Sequence, residues 1–114
     1  TVAMNPNDAD AYPEDSPEGM REQAARAGWD FPYLIDAEQT VARGFGAVCT
    51  PDLFLYDRAG VLAYRGAFDG STPKNGQPRT GELLTAAIQH VLAGQPGPEP
   101  HRPSMGCSIK WRQS

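Results

Sequence analysis

The chain has 114 residues, the size of one small domain. Ten basic and 14 acidic side chains give a net charge of −4, which argues against a nucleic-acid partner, because nucleic-acid sites are basic. No apolar run reaches the roughly 20 residues of a membrane-spanning helix. The 12 glycines and 11 prolines predict a chain rich in loops.

The first part of the chain begins with a short apolar run, residues 2–4, which predicts a buried strand that ends at the polar segment 5–8. A first helix is predicted to begin at Ser16, whose hydroxyl can cap free backbone N–H groups, and to end at Gly28. Its apolar face follows the helical spacing of Met20, Ala24 and Ala27.

A second strand and helix are predicted next. Residues 31–35 form a short extended run, and Pro32 favours an edge position because it cannot donate to a ladder. Asp36 is predicted to cap the second helix, with Gln39 as its capping-box partner. Val41 and Phe45 are predicted to share one face of that helix.

The clearest local signal is a β-hairpin. Residues 52–56 and 61–66 are predicted to form strands, and Asp57-Arg58-Ala59-Gly60 has turn composition. A glycine- and proline-rich loop, residues 68–79, follows. Thr80 is predicted to cap a third helix that ends at Gly94 and carries an apolar stripe of Leu83, Leu84, Ala87, Ile88, Val91 and Leu92.

The remainder is interpreted as a proline-rich arm and a docking tail, residues 95–114, after a domain portion of residues 1–94. Four prolines between residues 94 and 104 exclude regular structure there. The tail becomes apolar again and is predicted to dock through Ile109 and Trp111. The element order is that of an α/β protein with a final antiparallel hairpin backed by a helix.

This order, with Val48-Cys49-Thr50-Pro51 just before the hairpin, resembles the thioredoxin fold. The chain is similar to the redoxin family that includes alkyl hydroperoxide reductase/thiol-specific antioxidant-like (AhpC/TSA) and thiol–disulfide oxidoreductase-like proteins. The resemblance implies a three-layer sandwich around a central mixed sheet. Its matching segments span nearly the whole chain and are residues 2–8, 12–17, 31–34, 46–52, 64–66 and 103–111.

One part of the family pattern has no counterpart here. The family's first strand and following helix, which carry a Cys-x-x-Cys pair or a peroxidatic cysteine, are missing, and the chain contains no Cys-x-x-Cys. The resemblance therefore implies a thioredoxin-like fold that is incomplete at the N-terminus, with a strand missing between residues 2–4 and 53–56. We expect the natural protein to be longer at its N-terminus, with the catalytic cysteines upstream of Thr1.

The candidate substrate-binding residues are Thr50 and Pro51. The resemblance implies a cis peptide bond before Pro51 and a turn that offers backbone groups to an extended peptide or a mixed disulfide. The alternative is an ordinary proline at the start of a strand.

Cys49 and Cys107 are the candidate redox thiols. Cys49 is either an extra thiol near the redox centre or a small buried hydrophobic residue. Cys107 either forms a disulfide with Cys49, resolves the upstream redox cysteines, or is a structural thiol.

No metal or other cofactor is predicted. The two histidines, His90 and His101, and the two cysteines lack the spacing of metal ligands. The acidic residues near the N-terminus either bind a hard cation or form a solvated loop; they are Asp8, Asp10, Glu14 and Asp15. Arg65 is interpreted as a surface charge. The aromatic side chains are interpreted as core or docking residues; they include Trp29, Phe31, Phe54, Tyr56, Phe68 and Trp111.

Two functions remain open at this point. The first is a thiol–disulfide oxidoreductase or thiol peroxidase, acting on a protein thiol or disulfide or on a peroxide. The second is a non-catalytic redoxin-fold domain that binds within a larger protein assembly. Two thiols fit either a reducing cytosol or an extracytoplasmic redox role, so the compartment stays open.

Overall fold

The computed structural model describes residues 1–72, 75–97 and 101–113, and it belongs to the α/β class. Positions 73–74 of the predicted loop and 98–100 of the predicted arm lie outside the described residues. The strands are β1 (Ala3–Asn5), β2 (Tyr33–Ile35), β3 (Cys49–Thr50), β4 (Leu53–Tyr56), β5 (Leu62–Gly66) and β6 (Cys107–Ser108). The helices are α1 (Pro17–Ala27), α2 (Thr40–Phe45) and α3 (Glu82–Leu92), with a 3₁₀ turn at Pro13–Asp15.

The described residues form two compact units. The first unit contains residues 1–48 and 109–114, and the second contains residues 49–108. The predicted division at residue 94 stays a prediction. No described helix has both the length and the apolar character that crossing a membrane requires.

In the first unit, β1 and β2 pair in parallel, with Met4 beside Leu34. The predicted ends of α1 are confirmed. The Ser16 hydroxyl accepts a hydrogen bond from the Gly19 N–H at 3.2 Å, and Gly28 ends the helix with φ 68°. Met20 is the buried residue of its apolar face, whereas Ala27 is exposed, so the packed face is narrower than its spacing predicts.

Of the two residues of the predicted capping box of α2, Asp36 caps the helix and Gln39 does not. The buried Asp36 carboxylate does cap the helix, accepting hydrogen bonds from the N–H groups of Val41 at 3.3 Å and Ala42 at 2.8 Å. Gln39, however, lies at the N-cap in the left-handed region with φ 63° and makes no cap bond. Ala42 is the buried residue of α2, and the predicted face of Val41 and Phe45 is exposed, so the helix packs on a different side from the one its spacing predicts.

The predicted docking residues of the tail lie in the first unit. Ile109 is 3% exposed, and its N–H donates to the Val48 carbonyl oxygen at 3.0 Å. The Arg43 guanidinium stacks 4.3 Å from the centre of the Trp111 ring. Both contacts agree with the prediction that these two side chains dock the tail.

The second unit contains the predicted hairpin, which is confirmed. β4 and β5 are antiparallel, with Phe54 opposite Arg65 and Leu55 opposite Tyr64. In the turn, the Asp57 carboxylate accepts a hydrogen bond from the Val61 N–H at 2.9 Å. Tyr64, 2% exposed, is the buried apolar side chain of this strand pair, and β5 contacts α3 in the same unit.

The start of α3 differs from the prediction. Gly81, with φ 70°, is the N-cap, and its N–H donates to the Asp69 carboxylate at 2.9 Å. The Thr80 hydroxyl instead contacts the Glu82 carboxylate. Of the predicted stripe, Ala87 is fully buried and Leu92, the last residue of the helix, is 82% exposed.

The described residues form three two-stranded sheets, and one of them was not predicted. β3 and β6 are two residues long each and pair antiparallel in the second unit. Such a short ladder has no recognisable periodicity in the sequence.

Candidate functional site

The candidate site is built around the turn between β3 and β4. β3 ends at Thr50, Pro51 follows, and β4 begins at Leu53. The Thr50–Pro51 peptide bond is cis, which confirms that prediction. We call the residues gathered here the proline-turn cluster; its members are Cys49, Thr50, Pro51, Asp52, Arg65, Ser104 and Cys107.

The two thiols of the cluster face in opposite directions. Thr50 lies opposite Cys107 in the ladder, and Cys49 lies opposite Ser108. Successive side chains of a strand point to opposite faces, so Cys107 shares a face with Thr50 while Cys49 points to the other face. Both thiols are free, and this register does not suit a Cys49–Cys107 disulfide, whose two Cβ atoms must point toward each other.

The surroundings of Cys49 favour its protonated thiol form. Cys49 is half-buried, and its thiol donates to the Ser104 carbonyl oxygen at 3.8 Å. Burial raises the pKa of Cys49, and the Asp52 carboxylate raises it further, against the smaller opposing effects of the Gly106 backbone and Arg65. Because the thiolate is the nucleophilic form, these surroundings do not activate Cys49. Cys107, in contrast, is exposed.

Asp52 is the polar centre of the cluster, and sequence reasoning missed it. Its side chain is 7% exposed, and its carboxylate accepts hydrogen bonds from the Arg65 guanidinium at 3.2 Å and the Ser104 hydroxyl at 2.7 Å. The Arg65 side chain is 39% exposed, as a surface charge is expected to be, but its guanidinium also pairs with a buried carboxylate and lies 4.9 Å from the centre of the Phe54 ring. The predicted hairpin could have indicated the contact between Arg65 and Phe54, because its register sets these two residues opposite each other.

The segment before β6 follows β5 closely. The Arg65 N–H donates to Nδ1 of His101 at 3.3 Å, and the His101 ring lies 5.0 Å from the Tyr64 ring. The Ala67 N–H donates to the Arg102 carbonyl oxygen at 2.9 Å. These contacts place residues 101–108 along β5 and then beside β3.

The histidines have structural partners. His101 accepts the Arg65 N–H, and Nδ1 of His90 donates to the Pro96 carbonyl oxygen at 3.0 Å. Within residues 1–72, 75–97 and 101–113, no three His, Cys, Asp or Glu side chains gather as a metal site would require.

The acidic N-terminal loop is explained by an arginine of its own unit. The Arg112 guanidinium lies 3.1 Å from the Asp8 carboxylate and 2.8 Å from the Asp10 carboxylate. Asp15 accepts hydrogen bonds from the side-chain amides of Asn5 at 2.9 Å and Asn7 at 3.3 Å. Of the two interpretations, these contacts favour a structural loop over a cation site.

Two proteins of known structure share the fold of this chain, but the comparisons show no family for it. No protein-family model matches the chain, and no curated protein matches it. A hypothetical protein from Sinorhizobium meliloti 1021 has a solved structure that is 48% identical, with a TM-score of 0.96 over 99% of this chain. An uncharacterized conserved protein from Geobacillus kaustophilus is 52% identical, with a TM-score of 0.95 over 99% of this chain. The chain spans 62% and 60% of their lengths, so it shares its fold with about three-fifths of each.

Proposed function

We propose that this chain is the C-terminal part of a thioredoxin-like redoxin domain, and that the full-length protein exchanges thiols and disulfides or reduces peroxides. The observation that carries the proposal is the course of the chain in the second unit. The short strand β3 ends at Thr50, the turn at Pro51 leads directly into the β4–β5 hairpin, and α3 packs on β5. The parallel β1–β2 pair and its helices come earlier in the chain, as the family order requires.

In this function the turn binds substrate rather than attacking it. Extended peptides pair with strand edges through main-chain hydrogen bonds, and the backbone groups beside Thr50 and Pro51 are those that would bind one. Specificity then comes from the side chains on either side of the turn. Thr50 and Pro51 are therefore the proposed substrate-binding residues.

The nucleophile of this reaction lies outside the chain. A thiolate attacks one sulfur of a substrate disulfide, forms a mixed disulfide and releases the other sulfur as a thiolate; with a peroxide it attacks one oxygen. Cys49 is a poor candidate, because its surroundings raise its pKa. The proposal assigns the attack to a cysteine upstream of Thr1.

The test is turnover by the full-length protein. We expect reduction of insulin disulfides with dithiothreitol as the electron source, or consumption of hydrogen peroxide under the same conditions. Replacing the upstream cysteines by serine abolishes that turnover, whereas the matched surface variant Leu92→Ala retains it, because Leu92 is 82% exposed. Absence of turnover in both assays would overturn the enzymatic proposal.

A second candidate function is a non-catalytic binding domain of a larger assembly. The observation that favours it is that the two cysteines of the chain are free and face opposite sides of the β3–β6 ladder. The sequence upstream of Thr1 separates the two functions. A strand followed by Cys-x-x-Cys at a helix start supports the enzyme, and a helix without cysteine supports the binding domain.

A further inference from the structure

We propose that residues 101–108, here called the tail strap, occupy the position beside Thr50 at which an extended substrate would pair. The strap is then a built-in competitor, and a peptide binds only after β6 has left β3. This inference rests on the proposed function for the identity of the site as a peptide-binding edge. It adds that the site is regulated by the chain's own tail.

β6 already occupies the edge of β3 beside Thr50. β6 pairs antiparallel with β3 and sets Cys107 directly opposite Thr50, the residue before Pro51. A strand edge has one row of backbone donors and acceptors, so a second extended chain cannot use the row that β6 occupies. The strap therefore occupies the row of backbone groups that an extended peptide would need at Thr50.

Specific contacts hold the strap in the second unit. The Ser104 hydroxyl donates to the buried Asp52 carboxylate at 2.7 Å, and the Arg102 carbonyl oxygen accepts the Ala67 N–H at 2.9 Å. Gly106 passes so close to Thr50 that a methyl group on its Cα would overlap the Thr50 carbonyl oxygen. The strap fits β3 at this point only because residue 106 has no side chain.

The end of the strap that pairs with β3 buries little. Cys107 and Ser108 are both exposed, and Met105 is 67% exposed. Since apolar burial is the main stabilising contribution in folding, a ladder of two residues with exposed side chains opens at low cost. Ile109, at 3% exposure, is anchored, so release ends before that residue.

The experiment loosens the strap without removing it, since truncation would also remove Ile109. In the full-length protein, Gly106→Ala places a methyl group against Thr50 and weakens the ladder. Gly44→Ala is the matched control, because a methyl group there meets nothing within 4 Å. The probe is a fluorescent synthetic peptide of residues 101–108 with Cys107 replaced by serine, and binding is followed by anisotropy.

We expect Gly106→Ala to bind this peptide about tenfold more tightly than the wild type, because a closed strap reduces the fraction of binding-competent molecules. Gly44→Ala binds it as the wild type does. Hydrogen exchange of the β6 amides, measured in parallel, is faster in Gly106→Ala. Ser104→Ala is the second variant if Gly106→Ala does not fold, and it is expected to change binding and exchange in the same direction.

Two results would overturn the proposal. The first is faster exchange of β6 with no gain in peptide binding; the second is unchanged exchange in both variants. Failure of the strap proposal can be told apart from failure of the proposed redox function, because peptide binding needs no thiol. Tighter binding by Gly106→Ala in a protein without turnover refutes the enzyme alone, and normal turnover with unchanged binding refutes the strap alone.

Discussion

Gln39 is the largest side chain of the described residues with an exposure below 2%. Its amide nitrogen donates to the carbonyl oxygens of Pro6 at 2.7 Å and Lys110 at 3.0 Å, and its amide oxygen accepts the Arg112 N–H at 3.0 Å. A buried backbone carbonyl or N–H group without a hydrogen-bond partner costs roughly 1–3 kcal/mol. The Gln39 amide supplies partners to three such backbone groups, which is why a polar side chain suits this buried position. The local sequence pattern predicts a capping box for Gln39. That prediction is wrong because the hydrogen-bond partners of its side chain are 33 to 73 residues away, where a local pattern cannot find them.

The same distinction between local and distant partners explains which residues of the candidate site the sequence indicates and which it does not. Thr50 and Pro51 were identified because their signal lies in adjacent residues that precede a hairpin. Asp52 was missed because its partners are 13 residues away at Arg65 and 52 residues away at Ser104. No spacing rule brings those three side chains together before the fold is known.

The two cysteines are expected to differ in reactivity. Iodoacetamide should modify Cys107 roughly tenfold faster than Cys49 at pH 8, because reactivity follows exposure and thiolate content. Cys107 is exposed, whereas Cys49 is half-buried with a raised pKa. Because of that raised pKa, the Cys49 rate should still be increasing above about pH 9. Mass spectrometry of timed digests measures both rates.

Denatured protein is the control for the cysteine experiment, since unfolding removes the difference in burial and both thiols should then react alike. Modification of Cys49 before Cys107 in the folded protein would contradict the described surroundings of Cys49.

At the scale of elements, the hairpin was predictable and the β3–β6 ladder was not. The hairpin joins strands separated by a short turn, and Asp57 and Gly60 carry its turn chemistry in the sequence. β3 and β6 are two residues long each and lie more than 50 residues apart. Pairs this short and distant depend on tertiary contacts, which residue patterns do not encode.

Asp69 illustrates how one carboxylate organises a loop. It is 4% exposed, and it accepts hydrogen bonds from the Ser71 hydroxyl, from the Ser71 N–H at 2.9 Å and from the Gly81 N–H at 2.9 Å. These hydrogen bonds, the Ser71 side chain first, lower the pKa of Asp69. The carboxylate thus links the beginning of the 68–81 loop to the start of α3.

The lowered pKa of Asp69 fixes the direction of a pH effect. A carboxyl group with a lower pKa in the folded state stabilises the fold above its ordinary pKa of about 3.9, and this stabilisation is lost as the pH falls through the folded-state pKa. Asp69→Asn should therefore lower the free energy of unfolding at pH 7 and differ less from the wild type near pH 3. Urea unfolding at both pH values measures the difference.

Asp30→Asn, at an exposed position, is the matched control for Asp69→Asn and should change stability by no more than about 0.5 kcal/mol. A deficit of Asp69→Asn that is as large at pH 3 as at pH 7 would show that its hydrogen bonds do not depend on the carboxylate charge.

At the scale of the whole molecule, the end of the chain is part of the core of the first unit. Residues 109–114 belong to the unit that contains residues 1–48. Ile109 is one of the few buried apolar side chains of the described residues, together with Met20, Ala42, Tyr64 and Ala87. The apolar character of residues 105–111 was enough to predict docking, but the partners of Ile109 follow only from the fold.

Ile109→Ala should reduce the free energy of unfolding by about 2–5 kcal/mol, the usual cost of truncating a buried aliphatic side chain. Leu92→Ala, at an 82% exposed position, should change it by no more than about 0.5 kcal/mol. Urea unfolding followed by circular dichroism compares both variants with the wild type. Equal stability of the two variants would refute the role of Ile109 in the core.

The glycines of the tail set limits on how its sequence can be redesigned. A methyl group at Gly97 would overlap the Ala63 carbonyl oxygen, and one at Gly106 would overlap the Thr50 carbonyl oxygen. Pro103 and Met105 are exposed, so they are the positions open to varied chemistry. An engineered library that varies residues 103 and 105 and keeps Gly97 and Gly106 would preserve the path of the backbone. Only the side chains that the tail exposes to solvent would change.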